Sequence, residues 1–95
     1  MTTYAVVLYE SADDVATRAP AFFPAHKARL DEFHGRGEIL MVGTFADPQT
    51  QGSMAVFPTR QAAESFVSGD PFVVNGVVVK SYEIREWDEI LTADG

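Results

Sequence analysis

Two side chains in this sequence, His26 and Asp70, are of the types that can move a proton together. Imidazole titrates nearest neutral pH, and it acts as a general acid or base when a carboxylate orients its second ring nitrogen. Asp70 precedes Pro71, and proline disfavours a helical conformation in the residue before it, so a helix should end near Gly69. We therefore expect the carboxylate to be fixed on a turn, where folding could bring His26 to it.

Each member of this pair also has a purely structural interpretation. A histidine on an apolar helix face is often a hydrogen-bonded core residue, and an aspartate before proline often caps a turn. The catalytic hypothesis for His26 and Asp70 therefore stands beside one in which they form a buried structural hydrogen bond. His34 lies beside Gly35 at a predicted helix end, where the helix dipole favours a cation, so we assign it a structural role.

Three further residues, Arg18, Tyr9 and Phe72, are predicted to bind a substrate. The Arg18 guanidinium could hold a carboxylate or a phenolate in a bidentate pair. Tyr9 and Glu10 end the first predicted strand, where a hydroxyl and a second carboxylate could reach the same end of the sheet. No metal is expected, because the chain has no cysteine and its two histidines lack metal-ligand spacing. No cofactor is expected either, because phosphate loops and dinucleotide fingerprints are absent.

Hydrophobic patterning predicts the element order strand, helix, strand, strand, helix, strand. The strands are predicted over residues 4–9, 39–45, 53–57 and 77–87, and the second and third should form a hairpin. The first strand should lie centrally in the sheet because it is almost continuously apolar. The first helix should carry Pro24 in its first turn and end near Arg36, and Thr59 should be the N-cap of the second.

The two predicted helices each carry an apolar face, with residues recurring at spacings of three and four. In the first helix this face consists of Phe22, His26, Leu30 and Phe33, while Lys27, Arg29, Asp31 and Glu32 should point elsewhere. In the second helix it consists of Ala62, Ala63, Phe66 and Val67.

This order is the split βαβ arrangement of a ferredoxin-like α+β fold, with two helices over one face of a four-stranded antiparallel sheet. The strands carry enough aromatic and branched residues to make both faces of the sheet partly apolar. Since this short chain has nothing left to cover the second face, we predict a homodimer packed sheet to sheet.

Size and charge narrow the classes of function. The 95 residues form one domain, residues 1–95, with a formal net charge of −7. This acidity argues against nucleic acid and against anionic membrane surfaces as partners. The sequence has neither a run of about 20 apolar residues nor the basic start of a signal peptide, so we expect a cytoplasmic protein.

Three segments resemble the YciI-like (YCII-related) family in order and spacing. They are residues 24–30 (PAHKARL), residues 37–43 (GEILMVG), and residues 70–73 (DPFV) with Gly76-Val77 after them. The resemblance implies a dimeric α+β barrel with a ferredoxin-like protomer, and it places the family's proposed His-Asp active site at His26 and Asp70. The chain departs from the family at Phe23, where an arginine is common, and at Thr44, where a proline often follows the glycine.

We therefore expect a cofactor-independent enzyme in which His26 moves a proton and Asp70 orients it. Elimination or isomerisation of a small molecule, cyclic or aromatic, fits best, because a proton shuttle suffices for these steps. Hydrolysis would also require an organised water and an oxyanion site, which the sequence does not indicate. The alternative hypothesis is a non-catalytic homodimeric module that binds a small molecule or supports another protein.

Overall fold

The computed structural model describes residues 2–93 and consists of a four-stranded antiparallel sheet with helices over one face. The elements are β1 (Thr3–Ser11), α1 (Val15–Gly35), β2 (Met41–Thr44), α2 (Pro48–Gln51), β3 (Ser53–Phe57), α3 (Arg60–Gly69), α4 (Pro71–Val74) and β4 (Val79–Asp88). The strand order is β2-β3-β1-β4, and every neighbouring pair is antiparallel. The predicted α+β ferredoxin-like fold, its β2–β3 hairpin and the central place of β1 are confirmed.

The hydrophobic core lies between the sheet and the helices. Successive side chains of a strand point to opposite faces, and in β1 the residues that face the helices are Ala5, Val7 and Tyr9, all buried. Above them, the Phe66 ring lies 5.1 Å from the ring of Phe33 and 5.5 Å from that of Phe57, centre to centre. These aromatic contacts fix α1 and α3 relative to the sheet.

The first helix begins earlier than predicted, at Val15, and it contains Pro20 and Pro24 in its interior. The prediction that placed Pro24 in the first turn is therefore wrong. A proline in a helix leaves the carbonyl four residues before it without a donor. Pro20, Pro24 and Ala16 are all exposed, so the freed carbonyls of Ala16 and Pro20 lie on a side of the helix that water can reach. Solvation of this side explains why α1 continues through both prolines.

The apolar faces of the helices follow the predicted spacings. In α1, Phe33 is buried and Phe22, His26 and Leu30 are half-buried. In α3 the buried residues are Ala62, Ala63, Phe66 and Val67. The N-cap of α3 is also confirmed, because the Thr59 hydroxyl accepts a hydrogen bond from the amide of Ala62 at 3.1 Å.

The turn between β2 and β3 contains the one-turn helix α2, which holds the start of α1. The Gln49 side chain donates to the carbonyl of Ala12 at 2.7 Å and accepts from the amide of Val15 at 2.9 Å. It therefore satisfies one of the free amides at the N-terminus of α1. Strand β2 itself is shorter than the predicted residues 39–45.

Between α3 and the last strand the chain forms another one-turn helix, α4, which the sequence analysis missed. Asp70 adopts the predicted non-helical backbone, with φ −70° and ψ 121°, and ends α3. Its Oδ1 accepts from the amide of Phe72 at 3.0 Å, so Asp70 is also the N-cap of α4. Strand β4 consequently begins at Val79 rather than at residue 77. Within residues 2–93, no helix has both the length and the apolar character to cross a bilayer.

Candidate active site

His26 and Asp70 are in direct contact. The distance between His26 Nδ1 and Asp70 Oδ1 is 2.7 Å. His26 lies on the half-buried face of α1, and Asp70 lies at the junction of α3 and α4. The side chain of His26 is 12 % exposed and that of Asp70 is 2 % exposed.

The environment of Asp70 determines which nitrogen of His26 carries the proton. A buried carboxylate needs hydrogen-bond donors, and Oδ1 receives two, from His26 Nδ1 and from the amide of Phe72. An ionised carboxylate only accepts, so Nδ1 carries a proton and, in the neutral ring, the lone pair lies on Nε2. The His26 side chain is 12 % exposed, and Nε2 is the ring nitrogen left to act as a general base.

Aromatic rings surround the imidazole of His26. The Phe72 ring is stacked on it at 3.7 Å between centres and 4° between planes. Phe66 presents its edge at 6.5 Å, and Phe23 lies at 6.3 Å. The Phe72 ring limits rotation of the imidazole, so it supports the orientation set by Asp70. Phe23 is 49 % exposed, so it presents an apolar surface to solvent beside His26.

Tyr9 is buried on the helix side of β1 and contributes to the same neighbourhood. Its hydroxyl is the one buried side-chain polar atom in the described part of the chain that has no hydrogen-bond partner. Burial is the main cause that raises the pKa of Tyr9, and the negative charge of Asp70 raises it further. Tyr9 is thus a neutral donor close to Asp70. A side chain at Gly52 would collide with the carbonyl of Tyr9, which explains glycine there.

Arg18 and Glu10 lie away from this contact. Arg18 is exposed, and its Nη1 lies 3.5 Å from the carbonyl of Val77. It precedes His26 by eight residues, which is about 12 Å along the helix axis. Glu10 is exposed and forms a 2.8 Å ion pair with Lys80, so it supplies no second carboxylate beside Asp70.

One residue near the pair, Arg29, was wrongly predicted to point away from the apolar face of α1. It is half-buried, and its Nε and Nη2 donate to the carbonyls of Phe66 and Ser65 at 3.1 and 2.8 Å. Its guanidinium carbon lies 4.8 Å from the ring centre of Phe33. The spacing of three residues from His26 was the available signal, because residues three apart lie on neighbouring parts of a helix face.

Three hollows on the surface of the described residues are lined by residues other than His26 and Asp70. The largest, about 840 Å³, lies on the face of the sheet opposite the helices, and two of about 220 and 210 Å³ lie beside β2. Among residues 2–93, no group of three or more acidic or histidine side chains is arranged to hold a metal ion.

Comparison with known proteins identifies a family and a similar fold. The family described as YCII-related domain matches residues 2–88. Protein YciI from Escherichia coli O6:H1 and Protein YciI from Shigella flexneri are each 31 % identical to this chain, over 78 % of it and 85 % of their own length.

Among solved structures, 5-chloro-2-hydroxyhydroquinone dehydrochlorinase from Burkholderia phenoliruptrix, in complex with 2,5-dihydroxybenzoquinone, superposes with a TM-score of 0.61. The match covers 92 % of this chain and 94 % of that one at 19 % identity, so the likeness concerns the fold alone. The resemblance noted in the three sequence segments thus extends over almost the whole chain. This chain belongs to the YCII-related domain family.

Proposed function

We propose that this protein is a cofactor-independent enzyme that transfers a proton on a small molecule, with His26 as general base or acid and Asp70 as its orienting partner. The observation that carries the proposal is the 2.7 Å contact between His26 Nδ1 and Asp70 Oδ1, which leaves Nε2 as the nitrogen that would act on a substrate. Asp70 would also stabilise the imidazolium that forms when Nε2 accepts a proton. The proposed setting is the cytoplasm, as the sequence predicts.

Elimination and isomerisation are the reactions that this arrangement favours. Nε2 removes a proton from the substrate, and the electrons of that bond form a new double bond. In an elimination the leaving group departs with its bonding pair and the proton remains on His26 until solvent removes it. In an isomerisation the same proton returns to another atom of the substrate. Neither reaction consumes an oxidant or a reductant.

The surroundings of His26 favour a flat substrate that carries oxygen. Phe23 offers an exposed aromatic surface at 6.3 Å from the imidazole, on which an aromatic or quinonoid ring can pack. The Tyr9 hydroxyl is buried without a partner among residues 2–93, so it would donate to a carbonyl or hydroxyl oxygen of a substrate only if binding opens the packing around it. Phe72 would keep the imidazole in its orientation, and Arg18, about 12 Å away along α1, would receive a more distant anionic group. The named substrate of the dehydrochlorinase suggests hydroxylated aromatics as the first compounds to test.

The test of catalysis uses the two histidines of α1. In His26→Asn the imidazole is lost, and we expect turnover of a substrate found by screening to fall by about 10²- to 10⁴-fold. His34→Asn is the matched control, because His34 lies exposed near the end of the same helix. Unchanged turnover in a folded His26→Asn protein would exclude the proposed role.

A non-catalytic binding or accessory module is the second candidate, and the low exposure of the pair favours it. With Asp70 at 2 % and His26 at 12 % side-chain exposure, the contact could be purely structural. A panel of hydroxylated aromatics should be screened by thermal shift, and every stabilising compound then assayed for product. Stabilisation without product for any compound would favour the binding module over the enzyme.

We also propose that the protein acts as a homodimer packed through the open face of the sheet. Side chains of the strands and of the C-terminal segment line the 840 Å³ hollow on that face; they include Tyr4, Val6, Leu8, Met41, Met54, Val56, Trp87 and Leu91. Trp87 is 56 % exposed and Leu91 is 91 % exposed. A second copy of the chain packed on this face would cover both side chains.

The dimer is tested by placing a carboxylate on the open face. Analytical ultracentrifugation of the wild type should give twice the protomer mass, and Val56→Glu should give the protomer mass. Ala28→Glu is the control, since it adds the same charge on the exposed side of α1. A wild type that sediments as a protomer at tens of micromolar would contradict the proposal.

A further inference from the structure

The side chain of Arg29 connects the two helical segments that carry His26 and Asp70. Arg29 follows His26 by three residues on α1, and its guanidinium donates to two successive carbonyls of α3, those of Ser65 and Phe66. Phe66 lies one turn before Asp70. Arg29 therefore binds the last turns of α3, immediately before Asp70.

The chemistry of a helix end makes this contact suitable. The last four carbonyls of a helix lack intrahelical donors, and in α3 that of Phe66 is one of them. A cation is also favoured there by the helix dipole. The planar guanidinium reaches two carbonyls at once and lies 4.8 and 5.6 Å from the ring centres of Phe33 and Phe66. The ammonium of lysine could not reproduce the planar pair of donors with which the guanidinium contacts both carbonyls.

Gly69 provides the space for this side chain. A Cβ built on Gly69 would lie 2.7 Å from Nη2 and 2.8 Å from Cζ of Arg29. The backbone of Gly69 is helical, as the last residue of α3, so it does not require glycine for conformational reasons. The absence of a side chain at this position is explained by the guanidinium that lies against it.

We propose that Arg29 is a positioning residue, which together with Gly69 holds the end of α3 so that Asp70 Oδ1 meets His26 Nδ1. The inference deepens the proposed function and rests on it for its catalytic meaning. The geometric claim itself is independent of any substrate: without the guanidinium, the α3–α4 junction shifts relative to α1 and the contact between the two side chains loosens.

The first experiment tests the coupling of Gly69 to Arg29. Thermal unfolding is measured for Gly69→Ala, for Arg29→Ala and for the double variant. If the added methyl acts by displacing the guanidinium, each single variant lowers the melting temperature by about 5 °C and the double variant lowers it no further. Losses that add in the double variant would overturn the claim that Gly69 serves Arg29.

The second experiment reads the His26–Asp70 contact directly. A proton held between a ring nitrogen and a carboxylate gives a downfield resonance in proton NMR, and its assignment is verified by its loss in Asp70→Asn. We expect the resonance to move upfield or disappear in Arg29→Met and to be partly retained in Arg29→Lys. In the control Arg60→Met, which removes an exposed arginine paired with Glu64 on α3, it should be unchanged. An unchanged resonance in folded Arg29→Met would overturn the proposal.

Turnover then separates this inference from the proposed function. For an active wild type, Arg29→Met should lower kcat more than it raises KM, because the oriented base acts in the transition state. If no compound is turned over by the wild type while the resonance still responds to Arg29→Met, the enzyme hypothesis fails and the positioning role stands. If the wild type is active but the resonance is unchanged in Arg29→Met, the positioning role is excluded and the proposed function stands.

Discussion

The two faces of the sheet differ sharply although the same strands supply both. In β3, Ala55 and Phe57 point to the helices and are fully buried, whereas Met54 and Val56 point to the open face. On the helix side the apolar residues enclose a hydrogen-bonded carboxylate and imidazole. On the open side they line a hollow about 840 Å³ in volume.

This difference shows which face of the sheet can hold a buried charged side chain in a chain of this size. A buried carboxylate is tolerated when surrounding elements bring donors to it, and the α3–α4 junction does so for Asp70. Its interaction with His26 is also stronger away from bulk water. The open face has no second layer within the described residues to provide such donors, and its exposed apolar surface is the one on which we propose that a second copy of the chain packs.

The largest expected effect compares an aromatic side chain on each face. Phe57→Ala removes a fully buried ring from the core and should lower the free energy of unfolding by about 3–5 kcal/mol. Trp87 lies on the open face and is 56 % exposed. At protein concentrations low enough to keep the chain monomeric, Trp87→Ala should change the free energy of unfolding by no more than about 0.5 kcal/mol. Urea unfolding of both variants measures the difference. Equal losses would mean that Trp87 is already part of a core.

Much of this two-sided arrangement could be predicted from the sequence. Runs of apolar, β-branched and aromatic residues identify the strands, and the spacings of three and four identify the buried positions of both helices, since these patterns depend only on local geometry. The start of α1 could not be predicted, because the cost of Pro20 and Pro24 depends on whether water reaches the carbonyls that they leave free. That is a property of the folded surface.

The candidate site was predictable in part. Asp70 was identifiable because Pro71 dictates the backbone before it, and His26 because it lies on an apolar helix face. The roles of Arg29 and α4 depend on distant contacts: a long side chain that reaches carbonyls of another helix, and a cap formed by Asp70 itself. Arg29 also has an apolar stem, so its charge alone is a poor guide to burial.

The next largest effect compares a buried carboxylate, Asp70, with an exposed one, Asp31. Asp70→Ala leaves His26 Nδ1 and the amide of Phe72 without their acceptor, and should lower the free energy of unfolding by about 1–3 kcal/mol. Asp31→Ala breaks an exposed pair with Lys27 and should cost at most about 1 kcal/mol. Chemical unfolding at neutral pH gives both values. A loss for Asp31→Ala that matches Asp70→Ala would contradict the comparison.

A smaller effect of opposite sign is expected for Tyr9→Phe. The buried hydroxyl of Tyr9 has no partner among residues 2–93, so its removal should leave stability unchanged or raise it by about 1 kcal/mol. Binding of an oxygen-bearing ligand should weaken in the same variant. Thermal unfolding with and without ligand measures both effects. Destabilisation of the free protein would show that the hydroxyl is hydrogen-bonded.

Tyr9→Phe should also change how the free energy of unfolding depends on pH under alkaline conditions. Burial raises the pKa of Tyr9 above its ordinary value of 10.0, so in the folded state the phenol keeps its proton while the unfolded chain loses it. Stability should therefore fall as pH rises above 10, and fall less steeply in Tyr9→Phe than in the wild type. Urea midpoints between pH 9 and pH 11 measure the two slopes. Identical slopes would place the hydroxyl in contact with water.

The smallest effect is expected at the edge between the two faces, where Glu10 of β1 pairs with Lys80 of β4. The hydrogen bond from Lys80 lowers the pKa of Glu10, so any stability from the pair is present above the ordinary glutamate pKa and is lost as pH falls through the lowered value. Both groups are fully exposed, where water and salt screen the attraction. Lys80→Met should therefore leave the melting temperature at pH 7 and at pH 3 within error of the wild type at each pH. A clear loss at pH 7 that vanishes at pH 3 would mean that the pair is shielded from solvent, as it would be if the partner protomer covered this edge.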